Sequence, residues 1–336
     1  HLDRIALYDD SDHVFISPAA HYGLELDTLL RTLDRTLTPM GRRLFRFWLY
    51  HPLKNVPLIT ARQEAVALLK ENVPVREALG GQSLKNMPDV EKSLSRLSCA
   101  CALPRDFLVV RNALARAPEF QKTLAPLKGG SSLFSVNDVP ELRAKLEAAI
   151  NPDMPLAKNE GKVIRKGFNA ELDELRALQE DGLTWLQNYQ VREVRRSGIN
   201  SLKVGFNRVF GYYIEITNAN LKSAPADYIR KQTLTNGERF ITPELKDYEH
   251  RILTAQDKIL NIENELLKEL GQEILGEITA LHRYCGEIAT VDAVHSLALL
   301  AAQPRYVRPE VVESGELVIE DGRHPVVEHS TPGEFI

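Results

Sequence analysis

Residues 242–266 read TPELKDYEHRILTAQDKILNIENEL and carry an apolar repeat that decides the fold. The repeat advances by three or four residues at each step, through Leu245, Tyr248, Ile252, Ala255, Ile259, Ile262 and Leu266. This spacing forms one continuous stripe along an α-helix, and so long a stripe is typically buried against a partner helix. Thr242, Pro243 and Glu244 begin the helix with an N-cap, a proline and an acid in the first turn.

The partner helix is predicted in the residues that precede a β-rich insert. One helical face collects the apolar positions Phe168, Leu172, Leu175, Gly182, Leu186 and Tyr189. The helix would extend from Gly167 to the stop signal at Ser197-Gly198, roughly 30 residues or about 45 Å. We therefore expect two long antiparallel helices that carry a small sheet at their tip.

The segment between these helices has the composition of β-strands. Residues 212–217, YYIEIT, are dense in aromatic and β-branched side chains. Asn236-Gly237 stands between residues 232–234 and 239–241, and this arrangement is typical of a tight hairpin.

The rest of the chain is predicted to be mainly helical. Thr38-Pro39 begins one helix, and others are expected at residues 58–72, 75–80, 90–101, 105–115 and 139–150, with a final one through about Ala302. Strand-like alternation around residues 13–16, followed by a turn at Pro18, and two short strands at 317–319 and 322–327 are the exceptions. The fold class is thus mainly α, a helical core with two long antiparallel helices and a β-rich insert.

Composition limits the possible functions. The chain has 336 residues, enough for about two domains. Its net charge of -4 provides no global basic field, so nucleic-acid binding would need a local patch. No apolar run approaches the roughly 20 residues that cross a bilayer, and no signal segment is present. We expect a cytoplasmic protein and, because the sequence opens with His1, a fragment of a longer one.

The insert carries the most convincing local basic patch. Between Lys203 and Arg239, the basic residues Lys203, Arg208, Lys222, Arg230, Lys231 and Arg239 outnumber Glu215, Asp227 and Glu238, a net of about +3. Thr235, Asn236 and Gly237 would add small polar groups and free backbone N–H groups at the hairpin tip. Such groups hold a DNA backbone without reading its sequence. A solvated sheet face explains the same charges, because protein surfaces normally mix them.

A zinc site is the next candidate. Cys99, Cys101, His282 and Cys285 supply the four ligands that a structural site requires. The two pairs lie far apart on helical segments, however, which favours buried thiols instead. No metal site is therefore expected.

Catalytic chemistry has no local signature in this sequence. The acid pairs Glu171/Glu174 and Glu263/Glu265 are attributed to solvated helix faces. There is no G-x-x-x-x-G-K-[ST] phosphate loop, and no nucleophile, base and orienting residue share one motif. We expect neither catalytic residues nor a cofactor in this chain.

Several long segments resemble the MutS family of DNA mismatch repair proteins. They are residues 33–49, LDRTLTPMGRRLFRFWL; 203–215, KVGFNRVFGYYIE; 228–234, YIRKQTL; and 238–245, ERFITPEL. The segments occur in the family's order, and the resemblance covers nearly the whole chain. It implies a core domain at 1–165, a lever helix at 166–199, a DNA-binding clamp at 200–243, returning lever and core helices at 244–300, and the beginning of a truncated ABC-type ATPase domain at 301–336.

The resemblance also implies a function. MutS proteins form dimers that close around duplex DNA, and their lever helices connect the clamps to an ATPase that uses ATP and Mg²⁺ and works with a MutL-type partner. The expected DNA contacts are Lys203, Asn207, Arg208, Arg230, Lys231, Thr235, Asn236 and Arg239. Phe335 matches an aromatic residue that stacks on adenine in the intact proteins. This chain alone is expected to bind the DNA backbone without sequence specificity and to catalyse nothing.

Departures from the family pattern leave an alternative open. The Phe-x-Glu mismatch wedge is absent, the stretch between Leu24 and Leu33 is shorter than usual, and the usual alanine after Asn236 is Gly237. This glycine predicts a more flexible hairpin tip. The alternative is a helical scaffold of a MutS-like protein from another branch, whose β insert binds protein rather than DNA.

Overall fold

The computed structural model describes residues 12–155, 162–207, 211–304 and 306–330. Arg208 and Phe335, two of the predicted contact residues, lie outside these ranges. The described residues divide between two compact units, a helical unit within His1–Glu147 and Gly271–Ile336 and a sheet-bearing unit within Ala148–Leu270. No described helix is both long and apolar enough to cross a membrane.

Helices account for most of the described residues, and the strands are confined to the sheet-bearing unit. In chain order the helices are α1 (Pro18–Gly23), α2 (Leu26–Leu33), α3 (Pro39–Tyr50), α4 (Val56–Glu71), α5 (Val73–Ala78), α6 (Val90–Ser98), α7 (Pro104–Leu114), α8 (Ala117–Leu124), α9 (Pro140–Ala149), α10 (Ala170–Ser197), α11 (Pro243–Gly276), α12 (Ile278–Ala301) and α13 (Pro325–Ser330). The strands are β1 (Lys203–Asn207), β2 (Gly211–Thr217), β3 (Ile229–Leu234) and β4 (Gly237–Ile241). The predicted fold class, mainly α with a small β insert, is confirmed.

Helix α12 forms the buried centre of the helical unit, and Asp292 on it organises the start of α3. The Asp292 carboxylate accepts hydrogen bonds from the backbone N–H groups of Leu37 and Thr38, at 2.9 and 2.8 Å, and from the Thr38 hydroxyl at 2.7 Å. Thr38 in turn caps α3 by accepting from the Gly41 N–H at 2.9 Å. A Cβ at position 41 would overlap the Asp292 carboxylate, so this close approach requires glycine.

The helix predictions for this unit are largely confirmed. Helices α3, α4, α6, α7 and α9 begin and end within a few residues of the predicted bounds. No bounds were predicted for helices α1, α2 and α8. The predicted turn at Pro18 is wrong, because Ser17 accepts from the Ala20 N–H at 3.2 Å and Pro18 opens α1.

The strand predictions outside the insert are wrong. Residues 13–16 form only an isolated bridge between His13 and Leu53, and residues 325–330 belong to α13. A strand needs a neighbour for its backbone donors and acceptors. Among the described residues none pairs with 317–319, where the Leu317 side chain is 84% exposed.

Helices α10 and α11 run antiparallel within the sheet-bearing unit. The rings of Trp185 and Tyr248 stack with their centroids 4.0 Å apart, while Arg176 forms an ion pair with Glu263 at 2.6 Å. An earlier position on α10 thus meets a later position on α11. This confirms the pairing that the apolar stripe predicts.

The buried stripe of α11 departs from the predicted apolar repeat at Glu263. This side chain is 3% exposed, and its carboxylate accepts from the Val163 N–H at 2.9 Å as well as from Arg176. The assignment of Glu263 to a solvated face is therefore wrong. A buried carboxylate is tolerated here because its oxygens are supplied with donors.

The sheet is antiparallel with the strand order β1-β2-β4-β3, so β1 and β3 are its edges. Leu234 pairs with Gly237, which confirms the predicted hairpin and leaves Thr235 and Asn236 as its turn. Gly237 itself is buried in β4, where a Cβ would overlap the Ile216 carbonyl oxygen. The prediction that Gly237 loosens the tip is therefore wrong, since this glycine is not part of the turn.

Candidate nucleic-acid interface

The inner face of the sheet packs on α10 and α11. Ile214 and Ile216 of β2 and Phe240 of β4 are buried with Tyr189 and Leu245 of the helices. These side chains alternate along each strand with residues that face outward. The apolar face therefore fixes which charged side chains the sheet presents to its surroundings.

A buried carboxylate on α10 holds the segment that precedes β3. Glu193, 4% exposed, accepts from the Tyr228 hydroxyl at 2.8 Å and from Arg196 Nε at 2.9 Å. Burial first, and the bond to Glu193 second, raise the pKa of Tyr228 above its usual range. Arg196 continues to Asp227 at 2.9 Å. This chain of contacts fixes the segment from which β3 departs.

A pair of hydroxyl groups holds the segment between β4 and α11 against α10. The hydroxyls of Tyr189 and Thr242 lie 2.6 Å apart, and Thr242 accepts from the Leu245 N–H at 3.1 Å. Thr242 is thus the predicted cap of α11. Burial raises the pKa of Tyr189 to about 12.

The beginning of β2 is anchored to α11 as well. The Tyr212 N–H donates to Glu249 at 3.1 Å. Gly211 has φ of 78° and approaches the same carboxylate so closely that a Cβ would overlap it. Both its conformation and its contact therefore require glycine.

Every acid counted in the basic patch is ion-paired with an arginine. The pairs are Glu215 with Arg239 at 3.1 Å, Glu238 with Arg230 at 3.1 Å, and Asp227 with Arg196 at 2.9 Å. Arg239 also lies 4.1 Å from the centroid of the Tyr213 ring, and its side chain is 18% exposed. Arg239 is therefore engaged within the sheet, whereas the Arg230 side chain is 58% exposed.

Unlike the arginines, the lysines of the insert are not held by carboxylates of the described residues. Lys203, Lys222 and Lys231 are exposed, and none is ion-paired with a carboxylate of the described residues. Lys222 lies in a short 3₁₀ turn, Asn218–Ser223, and was counted in the patch but not among the predicted contacts. The sequence around Lys222 also contains the small polar residues Asn218, Asn220 and Ser223. A lysine in such a polar segment could have been added to the predicted contacts.

Strand register separates the remaining predicted residues along the sheet. Lys203 on β1 is opposite Glu215 on β2. This lies near the end of the sheet where Thr217 pairs with Gly237, next to the hairpin turn formed by Thr235 and Asn236. Asn207 lies at the other end of β1, about 13 Å away at roughly 3.3 Å per residue. The structure thus places Lys203 at the same end of the sheet as the tip and sets Asn207 apart.

The tip itself is held by one residue, Asn218. Asn218 donates from Nδ2 to the Thr235 carbonyl and from its backbone N–H to the Asn236 carbonyl, both at 3.1 Å. The side chains of Thr235 and Asn236 are exposed. A polar turn fixed in this way presents hydrogen-bonding groups at low entropic cost.

A structural role also exists for the charges of β3. This edge strand shifts register between Arg230 and Gln232, and Lys231 lies within the irregularity. Charged side chains and bulges on an edge strand hinder pairing with another sheet. The exposure of Lys231 is consistent with that protection and with phosphate binding alike.

The cysteines are arranged differently from the prediction. Cys99 and Cys101 are exposed, and Cys285 is buried. The prediction of buried thiols is wrong for the first two because α6 ends at Ser98 and the chain turns at Ala100, with φ of 52°. Within the described ranges, no three His, Cys, Asp or Glu side chains are grouped so that they could hold a metal ion.

Comparison with known proteins gives a consistent result. The family model described as MutS domain III matches residues 16–298. A DNA mismatch repair protein MutS from Pelotomaculum thermopropionicum is 41% identical to the chain, covering 100% of it and 41% of that relative. Proteins of the same description from Alkaliphilus metalliredigens and Salinibacter ruber are 37% and 38% identical, covering 98% and 99% of the chain and 39% and 38% of the relatives. The chain thus spans about two fifths of the length of these relatives.

Proposed function

The chain belongs to the MutS family of DNA mismatch repair proteins, and we propose that its four-stranded sheet grips duplex DNA by the phosphate backbone. The distribution of charge carries this proposal. Three exposed lysines, Lys203, Lys222 and Lys231, are left over once the arginines have paired with the acids of the insert. Unpaired surface cations bind phosphates and release condensed counterions, and they read no sequence.

The supporting framework suits a gripping role. Buried contacts of Glu193 and Tyr189, and a partly buried contact of Glu249, attach the sheet to α10 and α11, so a force on the sheet would be transmitted to the helices. We propose that α10 and α11 act as levers. In the parent protein they would link the clamp to an ATPase that binds ATP and Mg²⁺, with Phe335 stacking on adenine. A homodimer and a MutL-type partner complete the proposed assembly.

Protein binding by the insert is the second candidate. Phe206 on edge strand β1 is 51% exposed, and Ile229 on edge strand β3 is 54% exposed. Exposed apolar side chains on unpaired edges favour strand addition by another polypeptide. Ionic strength separates the two candidates, because an apolar contact depends little on salt whereas phosphate contacts weaken steeply.

The test is a titration of the chain with matched and mismatched duplexes of equal length. We expect equal, weak affinities that fall together as salt rises, with a log–log slope of about −0.9 for each phosphate neutralised. A clear preference for the mismatch would contradict backbone binding by this section alone. An affinity independent of salt would favour the protein-binding candidate.

The same preparation tests the expectation that this chain is not an enzyme. A nucleotide phosphate is normally cradled by a glycine-rich loop at a helix N-terminus together with its lysine and Mg²⁺ ligand. The 336 residues contain no such sequence. ATP turnover above that of a buffer blank, retained after repurification, would overturn the expectation.

A further inference from the structure

The helical unit contains a cavity for which the proposed DNA-binding role has no use. It has a volume of about 630 Å³ and lies between α3, α4, α12 and the segment that follows α12. Its walls are mainly apolar, with Phe45, Leu49, Val66, Leu297 and Leu300 among the lining side chains. Small-molecule sites typically have volumes of about 300–1,000 Å³, apolar walls and a few polar groups that orient the ligand.

An arginine without an anionic partner lies in this apolar wall. The Arg62 guanidinium is 3.9 Å from the centroid of the Trp48 ring, and among the described residues it forms no ion pair. Burial lowers the pKa of Arg62 to about 10, so the group is charged at neutral pH. Its stacking on tryptophan leaves the N–H edge of the guanidinium available to a ligand.

The other charged groups around the cavity add to the positive potential. Among the described residues, Lys70 and Arg308 line it together with a single acid, Glu71. With Arg62, this amounts to three cations against one anion. Arg308 donates to the Gln63 side chain at 3.2 Å, which is a neutral contact that leaves its charge uncompensated.

We propose that this cavity binds a small amphipathic carboxylate, with its apolar body against the cavity walls and its carboxylate on Arg62. The fork of a guanidinium matches a carboxylate with two parallel N–H···O bonds. An apolar ligand without charge would fill the walls and leave Arg62 unpaired. An inorganic anion would pair with Arg62 and leave the apolar walls exposed to water.

Tryptophan emission provides a direct measurement. The chain has two tryptophans, Trp48 at the cavity and Trp185 in the other unit, so Trp185→Phe leaves Trp48 as the reporter. Decanoate and decanol are titrated into this protein below the concentrations at which either aggregates. We expect both to bind saturably and decanoate to bind about tenfold more tightly, as a hydrogen-bonded charge pair provides.

Two variants assign the preference to Arg62. In Arg62→Gln the affinity ratio should fall toward one, with any remainder due to Lys70 and Arg308, while decanol binding persists because the apolar walls remain. Arg46→Gln is the matched control, since Arg46 stacks on Tyr50 at 4.9 Å and does not line the cavity. Equal affinities in the Trp185→Phe protein, absence of saturation, or an undiminished preference in Arg62→Gln would each overturn the proposal. The first two outcomes do not depend on whether the Arg62 variant folds.

Discussion

The helical unit and the sheet use charge in opposite ways. Asp292 is buried in the helical unit, and its oxygens are occupied by donors from two consecutive residues. Lys203 and Lys231 on the sheet are exposed and paired with no carboxylate of the described residues. A buried charge is costly unless its hydrogen bonds are satisfied, so the presence of Asp292 in the core indicates a structural role. An exposed unpaired cation costs little and stays available to a ligand.

The largest effect on stability is expected from Asp292→Ala. The change leaves the backbone N–H groups of Leu37 and Thr38 without their acceptor and removes the partner of the buried Thr38 hydroxyl. We expect the free energy of unfolding to fall by about 3–5 kcal/mol. Urea unfolding followed by circular dichroism measures it. Asp257→Ala on the exposed side of α11 is the control, and equal losses from the two variants would contradict the distinction drawn between buried and exposed charge.

A smaller loss is expected from Gly41→Ala. The added methyl group overlaps the Asp292 carboxylate, and overpacking of this kind typically costs about 1–3 kcal/mol. In an Asp292→Ala background the overlap with the carboxylate is removed, but the Cβ of residue 292 still lies 2.7 Å from the added methyl group, so the cost of Gly41→Ala should shrink without disappearing. Gly286→Ala on α12, which has open space around it, should instead stabilise by up to about 1 kcal/mol. Additive losses for the double variant would show that the two residues do not interact.

The third prediction concerns alkaline pH and Tyr189. Burial raises the pKa of Tyr189 to about 12 from its ordinary value of about 10, so between these pH values the unfolded chain loses a proton that the folded chain keeps. This contribution to stability is present below about pH 10 and falls by up to about 1.4 kcal/mol per pH unit above it. Tyr189→Phe should cost about 1 kcal/mol at pH 7 through the lost bond to Thr242, and less as pH rises.

Urea midpoints across this pH range measure the difference between the two proteins. Tyr22→Phe serves as a control because its ring is 85% exposed. A constant difference between the parent and Tyr189→Phe from pH 8 to pH 12 would argue against a protonated, buried hydroxyl at Tyr189.

Local sequence signals were sufficient for much of the fold. Thr38-Pro39 and Thr242-Pro243 were placed correctly because helix caps depend on neighbouring residues. The hairpin was located correctly, but its turn is Thr235-Asn236, since Gly237 is already paired in β4. The strands expected at 317–319 and 322–327 failed because a strand depends on a partner that local composition does not reveal. Glu263 was misassigned for a related reason, since its donors Val163 and Arg176 are remote in sequence.

The candidate site shows the same limit. A net charge of about +3 was available from counting residues, but the count did not distinguish Arg239 from Lys231. Register decides the difference, because β2 places Glu215 opposite Arg239 on β4 and so engages that arginine within the sheet. Which lysines stay unpaired is therefore a property of the folded sheet.

The smallest change in stability, and the sharpest test of the contrast, is expected from Lys231→Glu. Lys231 is exposed on an edge strand, so the free energy of unfolding should change by less than about 0.5 kcal/mol. If Lys231 contacts a phosphate, affinity for every DNA sequence should fall alike, and the log–log salt slope should become shallower by about one unit. Asn236→Ala should weaken binding less, because a neutral donor releases no counterion. Fluorescence anisotropy measures binding, and circular dichroism verifies the fold.

Lys268→Glu on α11 is the matched control for this prediction. It makes the same change in net charge on an exposed side chain of the same unit, about 37 Å along the helix from Pro243 at 1.5 Å per residue. A contact at Lys231 predicts a change of slope for Lys231→Glu and an unchanged slope for Lys268→Glu. Equal effects from both would assign the loss to overall charge. If folded Lys231→Glu binds with the affinity and slope of the parent, the DNA lies elsewhere, and edge protection remains as the role of Lys231.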